Sequence, residues 1–171
     1  MRLAIRAAAL ALAVSAWPAS AAGQTDGEPV VIYLVRHAEV APDGTRDPAL
    51  SERGRERAAA LARVLGEAGL GRVLSTDLRR TRQTAAPIAE DLGVEVESYD
   101  PRALPELAAA LRAAGGRILV VGHSNTTPAL VAALGGDPGE PIDESVEYDR
   151  LYQLVLLGDG RVLTTVLRYG G

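Results

Sequence analysis

With 171 residues, 47% of them apolar, the chain has enough material for one domain with a proper core and too little for two, and it is not composed like a disordered protein. Its 22 acids against 18 basic residues give a net charge of −4, which argues against a general binder of nucleic acid or anionic membranes. There is no cysteine and every one of the 18 basic residues is an arginine, which excludes a disulfide framework, thiolate nucleophiles and metal sites, Schiff-base lysines and a P-loop lysine.

Residues 1–21, "MRLAIRAAALALAVSAWPASA", combine Arg2 and Arg6 with an apolar stretch from Ala7 to Trp17 and a small-x-small ending at Ala19 and Ala21. This is the pattern of a secretory signal peptide cleaved after Ala21. The apolar part is shorter than the roughly 20 residues that span a bilayer, so no stable membrane insertion is expected after cleavage. No cysteine follows it for lipid attachment. The expected product is exported, periplasmic or extracellular, with a flexible lead-in at 22–28 and a single domain at 29–171. Losing two arginines and no acid takes its net charge to −6.

The continuous apolar run at 30–35 predicts a strand buried on both faces. The Pro- and Gly-containing stretch "APDGTRDPAL" predicts a loop, after which Ser51 opens a helix. Ala58, Leu61, Ala62 and Leu65 share one face of that helix, and Gly66 and Gly69 end it. "RVLST" is a short second strand. Leu78, Thr81, Ala85, Ile88 and Leu92 share a face of the next helix, closed by "DLG". "VEVES" alternates as a third strand, and Leu104, Leu107, Ala108 and Leu111 mark a helix ending at Gly115. "RILVVG" is a fourth strand, buried like the first, and 128–134 is helical after it. "RLYQLVLL-GDG-RVLTTVLRY" closes the chain as a hairpin with Asp159 and Gly160 in its turn. Strands alternating with helices predict an α/β fold. We expect a three-layer α/β/α sandwich with a mainly parallel sheet and an antiparallel C-terminal hairpin at its edge.

In such sheets ligands bind beyond the carboxyl ends of the strands. Arg36 and His37 stand at the end of the first strand, and His123 at the end of the fourth; these are the chain's two histidines. Arg79, Arg80 and Arg82 lie in the first turns of the helix after the second strand. Guanidinium forks match phosphate oxygens, and helix N-termini add oriented N–H donors. A neutral imidazole among them can attack phosphorus and form a phosphoramidate that water later cleaves. With cationic side chains carrying the transition-state charge, no metal and no cofactor is called for.

Four segments carry a resemblance. "LVRHAE" resembles the RHG-type signature of the histidine phosphatase (phosphoglycerate mutase-like) superfamily, and "LSERGRERA" its LTxxGxxQA helix start. "STDLRRTRQTA" resembles its SxLxRxxQTA segment, and "ILVVGHSN" its second-histidine strand. The resemblance implies that His37 is the nucleophile that becomes phosphohistidine. Arg36, Arg80 and His123 would hold the phosphoryl group, while Arg79 and Arg82 become helix-face or rim charges. Glu39 and Ser124 are candidate substrate contacts; Glu39 could instead pair with an arginine, and Ser124, with Asn125, could cap the following helix.

Ala38 replaces the commoner glycine, "HSN" replaces the HG or HD of other branches, and there is no room for the long covering insertion of mutases. The acid that protonates the leaving group is then expected at Asp100, with Glu106 as second candidate. The segment "DESVEYDR" lies near the rim in related folds, which leaves it a role in substrate choice. The implied activity is a metal-independent phosphatase acting on a phosphorylated small molecule or a phosphoprotein side chain. The alternatives are a degenerate module that binds phosphorylated ligands without turnover, and a phosphomutase.

Overall fold

The computed structural model describes residues 28–170, so the signal peptide expected at 1–21 and nearly all of the lead-in lie outside the described residues. Among these, the chain runs β1 (Val30–Arg36), α1 (Glu52–Leu65), β2 (Arg72–Ser75), α2 (Arg79–Leu92), β3 (Val96–Ser98), α3 (Leu104–Ala114), β4 (Arg117–Gly122), α4 (Thr126–Ala133), β5 (Arg150–Leu156) and β6 (Val162–Arg168). The sheet order is β3-β2-β4-β1-β5-β6. The first four strands of that order are parallel; β5 runs antiparallel to β1, and β6 antiparallel to β5.

All seven residues of β1 are buried, because helices cover both faces of the central strands. Successive side chains point to opposite faces, and the core divides accordingly. Val31, Tyr33 and Val35 pack with Leu61 and Leu65 of α1, Ile88 of α2 and Leu119 of β4. Ile32 and Leu34 pack on the other side with Leu111 of α3 and with Leu130 of α4 and Leu134 just beyond it. These are the two outer layers of an α/β/α sandwich.

Two boundaries differ from the sequence reading. The third strand shrinks to Val96–Ser98, since it is the sheet's edge and mostly exposed. Helix α4 begins two residues before Pro128, a position in the first turn where proline's missing N–H has no intrahelical partner to lose.

The start of α1 is docked onto the backbone just past the first strand. The Ser51 amide donates to the Glu39 carbonyl at 2.9 Å, and Ser51 Oγ accepts from the Gly54 amide at 3.1 Å as the N-cap. A Cβ on Gly54 would stand 2.0 Å from the Glu39 carbonyl oxygen, so only glycine allows this approach.

Candidate active site

Strands β1, β4 and β2 are parallel neighbours, and their carboxyl ends deliver three sets of groups to one place. Arg36 pairs in register with Gly122, and the His37 amide donates to the Gly122 carbonyl at 2.9 Å. His37 and His123 therefore leave adjacent strands side by side, with ring centroids 5.6 Å apart and planes inclined at 66°. Arg80, in the first turn of α2, completes the group. A cavity of about 540 Å³ opens over them, lined also by Val40, Arg46, Pro48, Ser124, Asn125, Glu144 and Tyr148. Three guanidinium groups face this space and one carboxylate, that of Glu144.

His37 is 7% exposed. Its Nδ1 lies 2.8 Å from the Ala38 carbonyl, which can only accept, so Nδ1 carries the proton and Nε2 keeps a free lone pair. Burial, and then the charges of Arg36, Arg80 and His123, push its pKa down to about 4 against the raising effect of that carbonyl. The His123 pKa is also lowered to about 4 by burial and the two arginines, with Glu144 opposing. Both rings are thus neutral at pH 7. His123 Nε2 stands 3.0 Å from Thr76 Oγ1, a hydroxyl that can donate or accept and so can hold either tautomer of the ring.

Arg36 is 4% exposed and already committed at two of its three nitrogens. It donates to the carbonyls of Glu147 at 3.0 Å and Glu144 at 2.9 Å, and stacks 3.9 Å over the Tyr148 ring. Its Nε is buried without any partner. A buried, charged donor left open at the wall of a cavity is a group that an anion would satisfy. Thr84 links the halves of the site, accepting from the Ala38 amide at 3.0 Å and donating to the Arg80 carbonyl at 2.7 Å.

Of the residues expected at the site, the structure brings together Arg36, His37, Arg80, His123 and Ser124. Arg82 instead points away to Asp77, and the Arg79 amide caps onto Asp47. The Ser124 and Asn125 side chains do not cap α4; the Thr126 hydroxyl accepts from the His123 amide at 3.0 Å, leaving Ser124 and Asn125 at the cavity wall.

Glu39 does not reach the cavity. It is held bidentately by Arg57, at 2.8 Å from Nη2 and 2.9 Å from Nε, and by Arg53 at 3.1 Å. Burial works to raise its pKa, but the arginines outweigh it and the net shift is downward.

The expected proton donor is corrected. Asp100 is exposed outside the cavity, gripped by the Arg102 guanidinium at 2.8 Å and by the Arg102 amide at 2.9 Å. Those contacts hold its pKa to about 2, so it carries no proton to give near neutrality. The turn follows the sheet's edge strand, and it is Tyr99 that faces inward, its hydroxyl donating to the Val121 carbonyl at 3.3 Å. Glu106 is exposed in the first turn of α3, also outside the cavity.

Arg46 and Thr76 were missed; Glu144 and Tyr148 fall in the segment "DESVEYDR" expected near the rim, without having been singled out. Topology holds a signal for the last two: β5 is antiparallel to β1, with Val35 opposite Leu151. It therefore starts where β1 stops, and the segment that leads into it must border the site. Among the described residues, no group of three or more His, Asp or Glu side chains is arranged to hold a metal ion.

A sequence model described as the histidine phosphatase superfamily (branch 1) matches residues 32–102. "Probable phosphoglycerate mutase GpmB" of Erwinia tasmaniensis is 38% identical over 77 residues, 42% of this chain and 35% of that protein. "Phosphoserine phosphatase 1" of Hydrogenobacter thermophilus is 42% identical over 77 residues, 42% of this chain and 36% of that protein. The matches thus span about a third of the length of these curated relatives. In fold, the chain is similar to the protein histidine phosphatase SixA complexed with tungstate, with a TM-score of 0.64 at 20% identity, covering 81% of this chain and 96% of that one.

Proposed function

We propose that the chain is a member of the histidine phosphatase superfamily, whose model matches residues 32–102, and that it is a metal-independent phosphatase working through phosphohistidine at His37. The observation that carries this reading is the His37 ring, its Nδ1 proton held by the Ala38 carbonyl and its Nε2 lone pair free in a cavity ringed by arginines. In the first step Nε2 attacks phosphorus, the P–N bond forms, and the P–O bond to the leaving group breaks. The spread charge on the phosphoryl oxygens is met by Arg36, Arg80 and an N–H of His123. In the second step water attacks phosphorus and the P–N bond breaks, which returns His37 and releases phosphate.

An alkoxide leaving group needs a proton that a phenolate needs far less. Glu144 is the carboxylate at the cavity wall, and we assign it the role of donor, and then of base toward water. Substrates are phosphomonoesters or phosphorylated side chains, and the leader pattern at 1–21 supports an exported site of action. His37→Ala should abolish turnover without unfolding the chain, and quenched wild type should carry acid-labile, base-stable phosphate. Near wild-type activity in the variant sinks the mechanism.

A further inference from the structure

A second cavity of about 520 Å³ adjoins the first and shares three of its wall residues, Ser124, Asn125 and Glu144. One side is a strip of α4 and its N-cap: Asn125, Pro128, Ala129 and Ala132, at the i, i+3, i+4, i+7 spacing of a single helix face. The other side is the loop that carries Pro138, Pro141 and Ile142. The two cavities differ in character. Arginines line the first, while the second holds no cation, and its one charged wall residue is Glu144. Its three prolines have no N–H to offer an anion.

We propose that this groove is the leaving-group subsite and that it takes the apolar, uncharged part of a small aryl or alkyl phosphomonoester. The proposal rests on the phosphatase reading, because continuity with the phosphoryl cavity is what gives the groove its occupant. A substrate with its phosphorus at His37 has an exit over Ser124 and Asn125 that leads onto alanine and proline surface. Burial of an apolar ring there is favourable, whereas a carboxylate or second phosphate would find no counter-charge among the lining residues. The volume suits a small molecule. Phosphorylated metabolites with anionic leaving groups are disfavoured on the same grounds.

The test compares phenyl phosphate, biphenyl-4-yl phosphate and 4-carboxyphenyl phosphate on the full chain. In parallel, phenylphosphonate and biphenyl-4-ylphosphonate, which cannot turn over, are titrated calorimetrically. The biphenyl compounds should lead the phenyl ones by on the order of 10-fold, both in kcat/KM and in phosphonate affinity. The carboxyphenyl ester should fall below phenyl. Ala129→Glu, at an exposed helix position, should erase the biphenyl advantage, lowering biphenyl-4-yl phosphate far more than phenyl phosphate. Ala129→Arg should bring the carboxyphenyl ester level with phenyl. Equal phenyl and biphenyl values, or a biphenyl advantage that survives Ala129→Glu, overturns the subsite while phosphatase activity stands. Phosphonates that bind with the expected preference, without hydrolysis of any ester, keep the groove and overturn the catalytic reading. No binding of either phosphonate overturns the subsite.

Discussion

Arg80 and Arg82 lie two residues apart on α2 and have different surroundings. Arg80 faces the cavity and is only loosely held, 3.6 Å from Asp47 and 3.5 Å from the Arg46 carbonyl. Arg82 sits outside with Asp77 at 3.2 Å. Arg80→Ala should lower kcat/KM by about 10²-fold or more, and Arg82→Ala by little; equal losses would show the pocket arginine is misassigned. Glu144→Gln removes a proton without changing the side chain's size. Alkyl phosphates should slow by about 10²-fold and aryl phosphates far less, as read from the ratio of their kcat values. A common factor for both classes would remove Glu144 from the proton inventory. The two histidines were legible because each follows an apolar strand directly. Asp100 was misread because an acid two residues before an arginine satisfies itself locally, a pairing that the Asp100-Pro101-Arg102 spacing offers.

At the level of elements, the loop after β1 and the start of α1 are packed backbone to backbone. Gly54→Ala would place a methyl group 2.0 Å from the Glu39 carbonyl, so α1 must retreat or the strand exit must bend. A loss of about 1–3 kcal/mol is expected from overpacking, measured as a fall in the urea midpoint with an unchanged m-value. Activity should fall too, because Glu39 stands two residues from His37. Helices α1 and α2 were readable from their apolar faces, and the N-cap from Ser51. The near-contact at Gly54 was not, since periodicity reports which face is buried and not how closely two backbones approach. Likewise, Glu144 and Tyr148 enter the site through strand order, a pairing across 100 residues or more that no local pattern encodes.

For the molecule as a whole, the two buried histidines tie stability to pH. Unfolded, they bind protons as pH falls below about 6.5; folded, they do so only near 4. Between those values the unfolded state holds more protons, so stability rises with pH there and is lost as pH drops from 6.5 toward 4. Below that window the loss continues as carboxylates with lowered values, Glu39 and Glu147 among them, take up protons. Thermal midpoints recorded from pH 7 to pH 4 should decline, and His37→Gln/His123→Gln should flatten the upper part of that curve. An unchanged slope in the double variant would place the acid sensitivity elsewhere.

The pairing of Arg36 with Gly122 has a further consequence. The backbones that carry the two imidazoles stand one strand spacing apart, a length of roughly 4.8 Å that the peptide ladder sets for every sheet. The spacing of their attachment points is therefore a backbone constant, and the side-chain contacts only orient the rings upon it. Repacking of the outer layers by mutation can soften the protein or shift its melting point without altering that spacing. Drift in this lineage should accumulate in the helices and loops, while the interval between the His37 and His123 backbones stays calibrated for as long as β1 and β4 remain neighbours.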